Sequence, residues 1–165
     1  MGDERMISHM GLHNDESISA NMEVALTAAA KAWRDHRDVP VGAVLLDSAG
    51  EIISVGVNER ELTQDPTAHA EIVAIRKGAM SLKSWRLEGC SLLVTLEPCA
   101  MCAGAIMQSR ISRLIFGAWD EKAGAVGSVV DLIRDPRALQ KVEVISGLLA
   151  DRSRALLKDF FGESR

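Results

Sequence analysis

One stretch of the sequence decides the fold: SLLVTLEPCAMC, at residues 91–102. Its apolar first half, from Ser91 to Thr95, predicts a buried β-strand. Pro98 suits the first turn of a helix, so a helix is predicted to follow the strand. Cys99 and Cys102 stand three residues apart, and on that helix their side chains would lie on one face, close enough to share a metal ion. The stretch therefore predicts a strand followed by a helix with two potential metal ligands at its start.

A second set of polar residues, DPTAHAE at residues 65–71, lies upstream. Asp65-Pro66-Thr67 is typical of a loop that ends in a helix N-cap, which places His69 and Glu71 in the first turn of another helix. The N-termini of the two helices would then converge, and their partial positive charge favours thiolate over thiol. We therefore predict that the imidazole and the two thiolates, from His69, Cys99 and Cys102, bind one zinc ion per subunit.

This ligand set predicts a hydrolytic zinc site. Zinc with three protein ligands keeps one tetrahedral position open for a water molecule, whose pKa falls to about 7. Attack on an amidine-like carbon also needs a group that takes the water proton and returns it to the leaving nitrogen. Glu71 stands beside the ligands and is predicted to be this general acid/base, rather than a fourth ligand.

Two other interpretations of the cysteine pair fit the sequence less well. A redox couple would leave the His-Ala-Glu motif without a role. A closed structural zinc site needs a fourth ligand, and Cys90 is expected about 20 Å from the far end of its strand, as a buried strand residue. The remaining histidines, which are His9, His13 and His36, do not have ligand spacing.

Predicted strands and helices alternate along the rest of the chain. Residues 1–20 are polar and are expected to form a loosely ordered N-terminal extension, whereas residues 21–165 contain no repeat or linker and are expected to form one domain. A β-hairpin is predicted at residues 41–46 and 51–57, with Gly50 in its turn. The other predicted elements are a helix over Met22 to Trp33, a helix after His69, a strand over Cys90 to Thr95, a helix after Pro98, a strand over Arg113 to Ala118, a short helix after Ser128, a strand around Val142 to Ser146 and a helix over Leu148 to Phe161. This alternation predicts an α/β sandwich with helices on both faces of the sheet.

The motifs together resemble those of the bacterial tRNA-specific adenosine deaminases, which belong to the cytidine/deoxycytidylate deaminase superfamily. His-x-Glu combined with Pro-Cys-x-x-Cys is the zinc signature of that superfamily. The similarity runs from about Met22 to Phe161, and it is carried by residues 39–44, Asn58 and residues 65–71, 95–105, 116–120 and 124–128.

The resemblance implies a fold and a reaction. The fold would be cytidine deaminase-like, a three-layer α/β/α sandwich around a five-stranded mixed sheet, so that residues 21–165 would form a single zinc-dependent deaminase domain. The reaction would be hydrolytic conversion of adenosine to inosine at the wobble position of a tRNA anticodon, an RNA-editing step that releases ammonia. A homodimer that binds a tRNA anticodon stem-loop is also implied.

The resemblance also assigns individual residues. His69, Cys99 and Cys102 match the zinc ligands of the family, and Glu71 matches its proton shuttle. Asn58 and Asp120 match substrate-binding residues, Asn58 at the nucleoside and Asp120 beside the anticodon loop. By sequence pattern alone Asn58 is a turn residue after a hairpin, so its role and that of Asp120 follow from the resemblance.

Composition fits one compact enzyme. With 165 residues, 47% of them hydrophobic and 25% charged, the chain is long enough to bury a core. Three cysteines, two of them assigned to metal, argue against a disulfide scaffold and for a reducing compartment. The first residues resemble no signal peptide, and no run is long and apolar enough to span a bilayer, so we expect a cytoplasmic protein without membrane contact.

The net charge of −4 is unusual for a protein that binds phosphates. Four acidic residues but one basic residue fall within the first 20 positions, so the rest of the chain is close to neutral and has room for a small basic patch. Trp119 stands where relatives more commonly carry arginine. Both an exposed ring that stacks on a base and a buried or interface side chain remain open for it.

Two alternative functions remain open. The first is deamination of free bases or nucleosides such as guanine or cytosine, which uses the same zinc chemistry without an RNA surface. The second is a non-catalytic, zinc-dependent RNA-binding or partner module. Glu71 argues against the second, because a binding module has no use for an acid/base beside an open metal position.

Overall fold

The computed structural model describes residues 15–138 and 140–163. Five helices and five strands lie within these residues. In chain order they are α1 (Asp15–His36), β1 (Gly42–Leu46), β2 (Ile52–Val57), α2 (Arg60–Thr63), α3 (Ala70–Leu82), β3 (Ser91–Leu96), α4 (Ala100–Gln108), β4 (Arg113–Ala118), β5 (Glu143–Ile145) and α5 (Ala150–Glu163).

The strands form one mixed sheet in the order β2-β1-β3-β4-β5. The hairpin strands β1 and β2 are antiparallel, as are β1 and β3, whereas β4 runs parallel to both β3 and β5. Helix α4 makes the crossover between the parallel strands β3 and β4, as such a connection requires. The predicted five-stranded mixed sheet is confirmed.

Alternate side chains of the strands enter two separate cores, one on each face of the sheet. Val44 and Leu93 point to the face covered by α1, where they join a cluster that includes Met22. Leu45 and Leu92 point to the opposite face and pack with residues of α3 and α4. Helix α5 contacts β4 and α1. The predicted three-layer α/β/α sandwich, with helices on both faces, is therefore confirmed.

Glycines permit the close approach of helices to this sheet. A Cβ atom at Gly56 in β2 would lie 2.3 Å from the carbonyl oxygen of Ala70 and 2.5 Å from the amide nitrogen of Ala74. A Cβ atom at Gly42 in β1 would lie 2.0 Å from the carbonyl oxygen of Ala25. Helix α3, which begins next to His69, is thereby held directly against the edge strand β2.

The predicted boundary between the N-terminal extension and the domain, after residue 20, lies too far along the chain. Helix α1 begins at Asp15, so residues 15–20 are helical and do not belong to a loosely ordered extension. Ile18 packs against the core cluster that contains Met22, which extends the apolar stripe one turn towards the N-terminus. The other residues of the predicted extension, 1–14, lie outside the described residues.

The short helix predicted after Ser128 is wrong. Residues 129–138 form turns and an isolated β-bridge between Val126 and Asp131. The amide of Leu132 donates to the carbonyl of Ala125, and Gly127 has a φ of 131°. Backbone groups after Ser128 therefore pair with residues 124–127 and do not form helical hydrogen bonds. No helix among the described residues is long and apolar enough to cross a lipid bilayer.

Candidate active site

Two helix N-termini carry the predicted metal ligands. His69 is the N-cap residue of α3 and Cys99 is the N-cap residue of α4, and both have extended backbone conformations. Cys102 lies within the first turn of α4, on the face that turns towards His69. Neither N-cap side chain makes a capping hydrogen bond, so the imidazole and the thiol are left available to a metal ion.

The local prediction that Thr67 caps α3 is wrong. Asp65 instead accepts hydrogen bonds from the backbone amide of Thr67 at 2.8 Å and from its hydroxyl at 2.7 Å. This turn closes two residues before the helix, which leaves His69 at the cap position. Pro98 similarly precedes the N-cap of α4 instead of lying in its first turn.

The structure brings the three predicted ligands together. Nδ1 of His69 lies 3.6 Å from Sγ of Cys99 and 3.5 Å from Sγ of Cys102. Among the described residues these three side chains form a group whose ligand atoms all lie within 4.8 Å of one another. One imidazole nitrogen and two sulfurs at this spacing fit zinc in a site that leaves a fourth position for water or substrate.

Electrostatics within the cluster favour a thiolate at Cys99. The hydrogen bond from Cys102, followed by the contact with His69, lowers the pKa of Cys99 to about 3. The same contact with Cys99, together with burial, raises the pKa of the Cys102 thiol. The pKa of His69 is also raised, chiefly by its contact with Cys99. A divalent cation needs both sulfurs as thiolates, so its binding would release protons.

Glu71 lies beside this cluster without belonging to it. Its side chain is in the first turn of α3 and only 4% exposed. Burial raises the pKa of Glu71 to about 7, with the negative charge on Cys99 acting in the same direction and His69 opposing it. A carboxyl group with a pKa near neutrality can both accept and return a proton at physiological pH.

A cavity of about 220 Å³ opens at the cluster. Its walls bring together the predicted residues that lie far apart in the sequence, and they include Asn58, His69, Glu71, Cys99 and Asp120. A larger cavity of about 520 Å³ lies at the opposite end of the sheet, near Ser91 and Arg113, and none of the predicted site residues line it.

Asn58 and Asp120 both line the smaller cavity. Asn58 follows β2 and is 7% exposed, and its Oδ1 accepts a weak hydrogen bond from the amide of Arg60 at 3.4 Å. Asp120 follows β4, and its Oδ1 accepts hydrogen bonds from the amides of Lys122 and Ala123 at 3.0 and 3.3 Å. Part of the Asp120 carboxylate is therefore already engaged in its own loop.

Two buried carboxylates that sequence reasoning missed support these walls. Asp38, which is 1% exposed, accepts hydrogen bonds from the amides of Glu61 and Leu62 in α2. Glu97, which is 2% exposed, accepts three hydrogen bonds from backbone amides of the segment after β4. The sequence offers one signal for these two residues, because each of them adjoins an apolar run. An acidic side chain that is buried with such a run needs hydrogen-bond partners.

Trp119 combines the two alternatives that the sequence left open. Its ring stands edge-on to the buried ring of Phe116, with centroids 4.9 Å apart, and it covers Gly127. The side chain is nevertheless 41% exposed. The indole therefore packs against Phe116 and Gly127 and is still partly exposed to solvent.

Comparisons with known proteins agree with this geometry. Residues 15–118 match the family model described as the cytidine and deoxycytidylate deaminase zinc-binding region. The tRNA-specific adenosine deaminase of Haemophilus influenzae is 49% identical over 144 residues, which cover 87% of this chain and 83% of that protein.

Two solved structures are also similar. One, from work on A-to-I editing by tRNA:A34 deaminases at the wobble position of transfer RNA, has a TM-score of 0.79 and 42% identity, covering 84% of this chain and 99% of that one. The other, guanine deaminase from Nitrosomonas europaea, has a TM-score of 0.73 and 26% identity, covering 87% of this chain and 84% of that one.

The chain therefore belongs to the cytidine and deoxycytidylate deaminase family, whose zinc-binding region includes the cluster described above. Within that family it belongs to the tRNA-specific adenosine deaminases, because its identity to them extends over most of both chains. The resemblance inferred from the sequence motifs is confirmed.

Proposed function

We propose that this chain hydrolyses adenosine to inosine at the wobble position of a tRNA anticodon and releases ammonia. The observation that carries the proposal is the convergence of His69, Cys99 and Cys102 beside the buried carboxyl group of Glu71, at the base of a cavity. The similarity to tRNA-specific adenosine deaminases supports the choice of substrate.

One zinc ion per subunit would be held by Nδ1 of His69 and the sulfurs of Cys99 and Cys102. When bound, zinc supplies a Lewis acid that makes a water molecule nucleophilic at neutral pH. The donor set fits this ion, since imidazole nitrogen and thiolate sulfur are its preferred ligands.

Glu71 would move the protons of the reaction. The carboxylate accepts one proton from the attacking water and passes it to N1 of adenine, as the new bond to oxygen forms at C6 and the C6–N1 double bond becomes single. It then takes the remaining proton of the new hydroxyl group and donates it to the exocyclic nitrogen as the bond from C6 to that nitrogen breaks. Ammonia leaves, and inosine remains with a carbonyl group at C6 and a proton at N1. The raised pKa of Glu71, about 7, suits both steps at neutral pH.

The cavity favours a single extruded base. A volume of about 220 Å³ admits one nucleobase but no duplex, so the target adenine must be unstacked and swung into it. A single-stranded anticodon loop makes that extrusion easy. We propose that Asn58 contacts the nucleoside and that Asp120, which also lines the cavity, contacts the neighbouring part of the loop.

The oligomeric state and the compartment belong to the same proposal. Residues 21–165 would act as one deaminase domain in a homodimer that binds a tRNA anticodon stem-loop. Exposed Met101 at the start of α4 offers an apolar contact for a second copy. We propose that the protein works in the cytoplasm, which suits its three free cysteines.

Deamination of a free base is the second candidate, favoured by the structural similarity to guanine deaminase. The zinc-loaded protein should therefore be incubated separately with an anticodon stem-loop, free guanine, cytosine and cytidine. We expect inosine in the stem-loop and no product from the small substrates. Deamination of guanine without inosine formation in RNA would replace the proposed function with the second candidate.

A further inference from the structure

The buried carboxylate of Glu97 is engaged entirely by backbone amides. Its Oε2 accepts a hydrogen bond from the amide of Asp120 at 2.9 Å, and its Oε1 accepts from the amides of Val126 and Ser128 at 2.9 and 3.1 Å. Hydrogen bonds to a charged acceptor are stronger than those between neutral groups, and a carboxylate with 2% exposure depends on them. All three donors belong to residues 120–128, which we call the Asp120 segment.

The Asp120 segment is folded tightly around this carboxylate. The carbonyl of Asp120 accepts hydrogen bonds from the amide of Gly124 and the hydroxyl of Ser128. A Cβ atom at Gly124 would lie 2.2 Å from Oε2 of Glu97, so the backbone approaches the carboxylate as closely as glycine allows. The segment also pairs with Cys99 through Gly124, and the amide of Ala125 donates to the carbonyl of Pro98.

The carboxylate of Glu97 binds the Asp120 segment, and Glu97 is also one of the cavity residues. Glu97 and Asp120 both line the cavity that contains Glu71. Glu97 accepts a hydrogen bond from the amide of Asp120, and Asp120 is itself a residue that lines this cavity. A shift of this amide would move the Asp120 carboxylate directly, whereas the segment reaches the predicted zinc ligands through backbone pairing of Gly124 with Cys99, whose own place is set by the start of α4.

We propose that Glu97 is a positioning residue for the RNA substrate: its buried carboxylate fixes the Asp120 segment and so holds Asp120 in place beside the cavity. The inference rests on the proposed function. It assigns Glu97 no part in proton transfer, and it predicts that the residue acts on substrate binding through Asp120.

Glu97→Gln is the sharpest test, because the amide keeps the size of the side chain while one acceptor oxygen becomes an NH₂ group that faces a backbone donor. We expect the KM for an anticodon stem-loop to rise about tenfold, with kcat changed by less than about threefold and zinc content unchanged. Glu121→Gln is the matched control, since Glu121 is an exposed carboxylate in the same segment, and it should leave both constants unchanged.

A double-mutant cycle with Asp120→Ala separates positioning from general stability. If Glu97 acts through Asp120, the KM of the double variant should equal that of Asp120→Ala alone, because the segment then no longer carries the group that needs positioning. A merely structural role predicts that the two effects multiply. Multiplied effects, an unchanged KM in Glu97→Gln or loss of zinc from it would each overturn the inference.

Failure of the proposed function and failure of the inference on Glu97 give different results. Should Glu97→Gln fail to fold, Glu97→Asp retains the charge with a shorter reach, and the same cycle with Asp120→Ala applies to it. If the wild-type protein forms no inosine in RNA, the proposed function fails. Active wild-type protein together with a fully active Glu97→Gln variant contradicts only the role of Glu97.

Discussion

Glu71 illustrates how burial, and not sequence position alone, prepares a side chain for chemistry. An exposed glutamate titrates near pH 4.3, which makes it a poor proton donor at neutral pH. In this protein burial raises the pKa of Glu71 to about 7, next to a histidine and two cysteines that can hold a metal ion. The carboxyl group is thereby suited to the proposed reaction, which needs both its protonated and its ionised forms.

Replacement of Glu71 should separate chemistry from metal binding. We expect Glu71→Gln to lower kcat by about 10²-fold to 10⁴-fold, because the amide cannot transfer a proton, and Glu71→Ala to abolish turnover. Zinc content, measured by atomic absorption, should stay the same in both variants. Glu88→Gln, at an exposed position away from the cavity, should behave as wild type. Full inosine formation in Glu71→Ala would contradict the assigned role.

Zinc affinity should depend on pH in a direction that follows from the ligands. Metal binding needs neutral imidazole and two thiolates, and the pKa of Cys102 lies above its ordinary value, so at least one proton is released on binding. Affinity should therefore fall by at least about tenfold for each pH unit lost below neutrality, as measured by competition with a chromophoric chelator.

Cysteine variants give that measurement its controls. Cys102→Ala should lose zinc, whereas Cys90→Ala should keep it, because buried Cys90 is not part of the ligand cluster. Equal zinc affinity at pH 6 and pH 8 would show that the sulfurs are not the ligands.

At the level of elements, contact between β2 and α3 holds one half of the site. Gly56 leaves no space for a side chain between the strand and the helix. We expect Gly56→Ala to destabilise the protein by about 2 kcal/mol or more, because the new methyl group would overlap backbone atoms that cannot move independently. Thermal or urea unfolding measures this change.

Gly162→Ala is the matched control for that substitution. A Cβ atom there meets nothing within 4 Å, and the residue lies in α5, where alanine is the better helix former. Its stability should be equal to wild type or slightly higher. Equal stability of both variants would mean that α3 packs less closely against β2 than described.

Elements with a strong local pattern could be predicted from the sequence. The hairpin and β4 follow from apolar runs bounded by turn residues, and β4 has the predicted bounds, Arg113–Ala118. The region after Ser128 could not be predicted, since its conformation depends on pairing with residues 124–127 and not on its own periodicity.

The residues of the candidate site likewise fall into those that the sequence predicted and those that it did not. His69, Cys99 and Cys102 were found because metal ligands need particular side chains at particular spacings. Glu97 and Asp38 were missed because their partners are backbone amides, which every residue except proline possesses. Sequence motifs therefore predicted the cluster of potential metal ligands but not the buried carboxylates that support the segments around it.

For the whole molecule, the proposed homodimer can be tested directly. Met101 is exposed at the start of α4 although its neighbours Cys102 and Ala103 are buried. We expect light scattering during size exclusion to give the mass of a dimer at micromolar concentration, and Met101→Lys to shift it towards monomer because a charge would be buried in the contact. Met80→Lys, a control at an exposed position late in α3, should remain dimeric. A monomeric wild-type protein would refute the proposal.

The three predicted ligands lie at the starts of two separate helices, α3 and α4. This arrangement determines whether the chain folds before or after it binds the metal ion. His69 precedes Cys99 by 30 residues, and the two come together only after β3 has paired with β1 and both helices have packed on the same face. The apolar clusters on the two sides of the sheet consist of residues other than the three predicted ligands, so we expect them to form without the ion, unlike the core of a zinc finger. Metal capture is therefore expected to follow folding, so that cells starved of zinc would accumulate a folded but inactive protein.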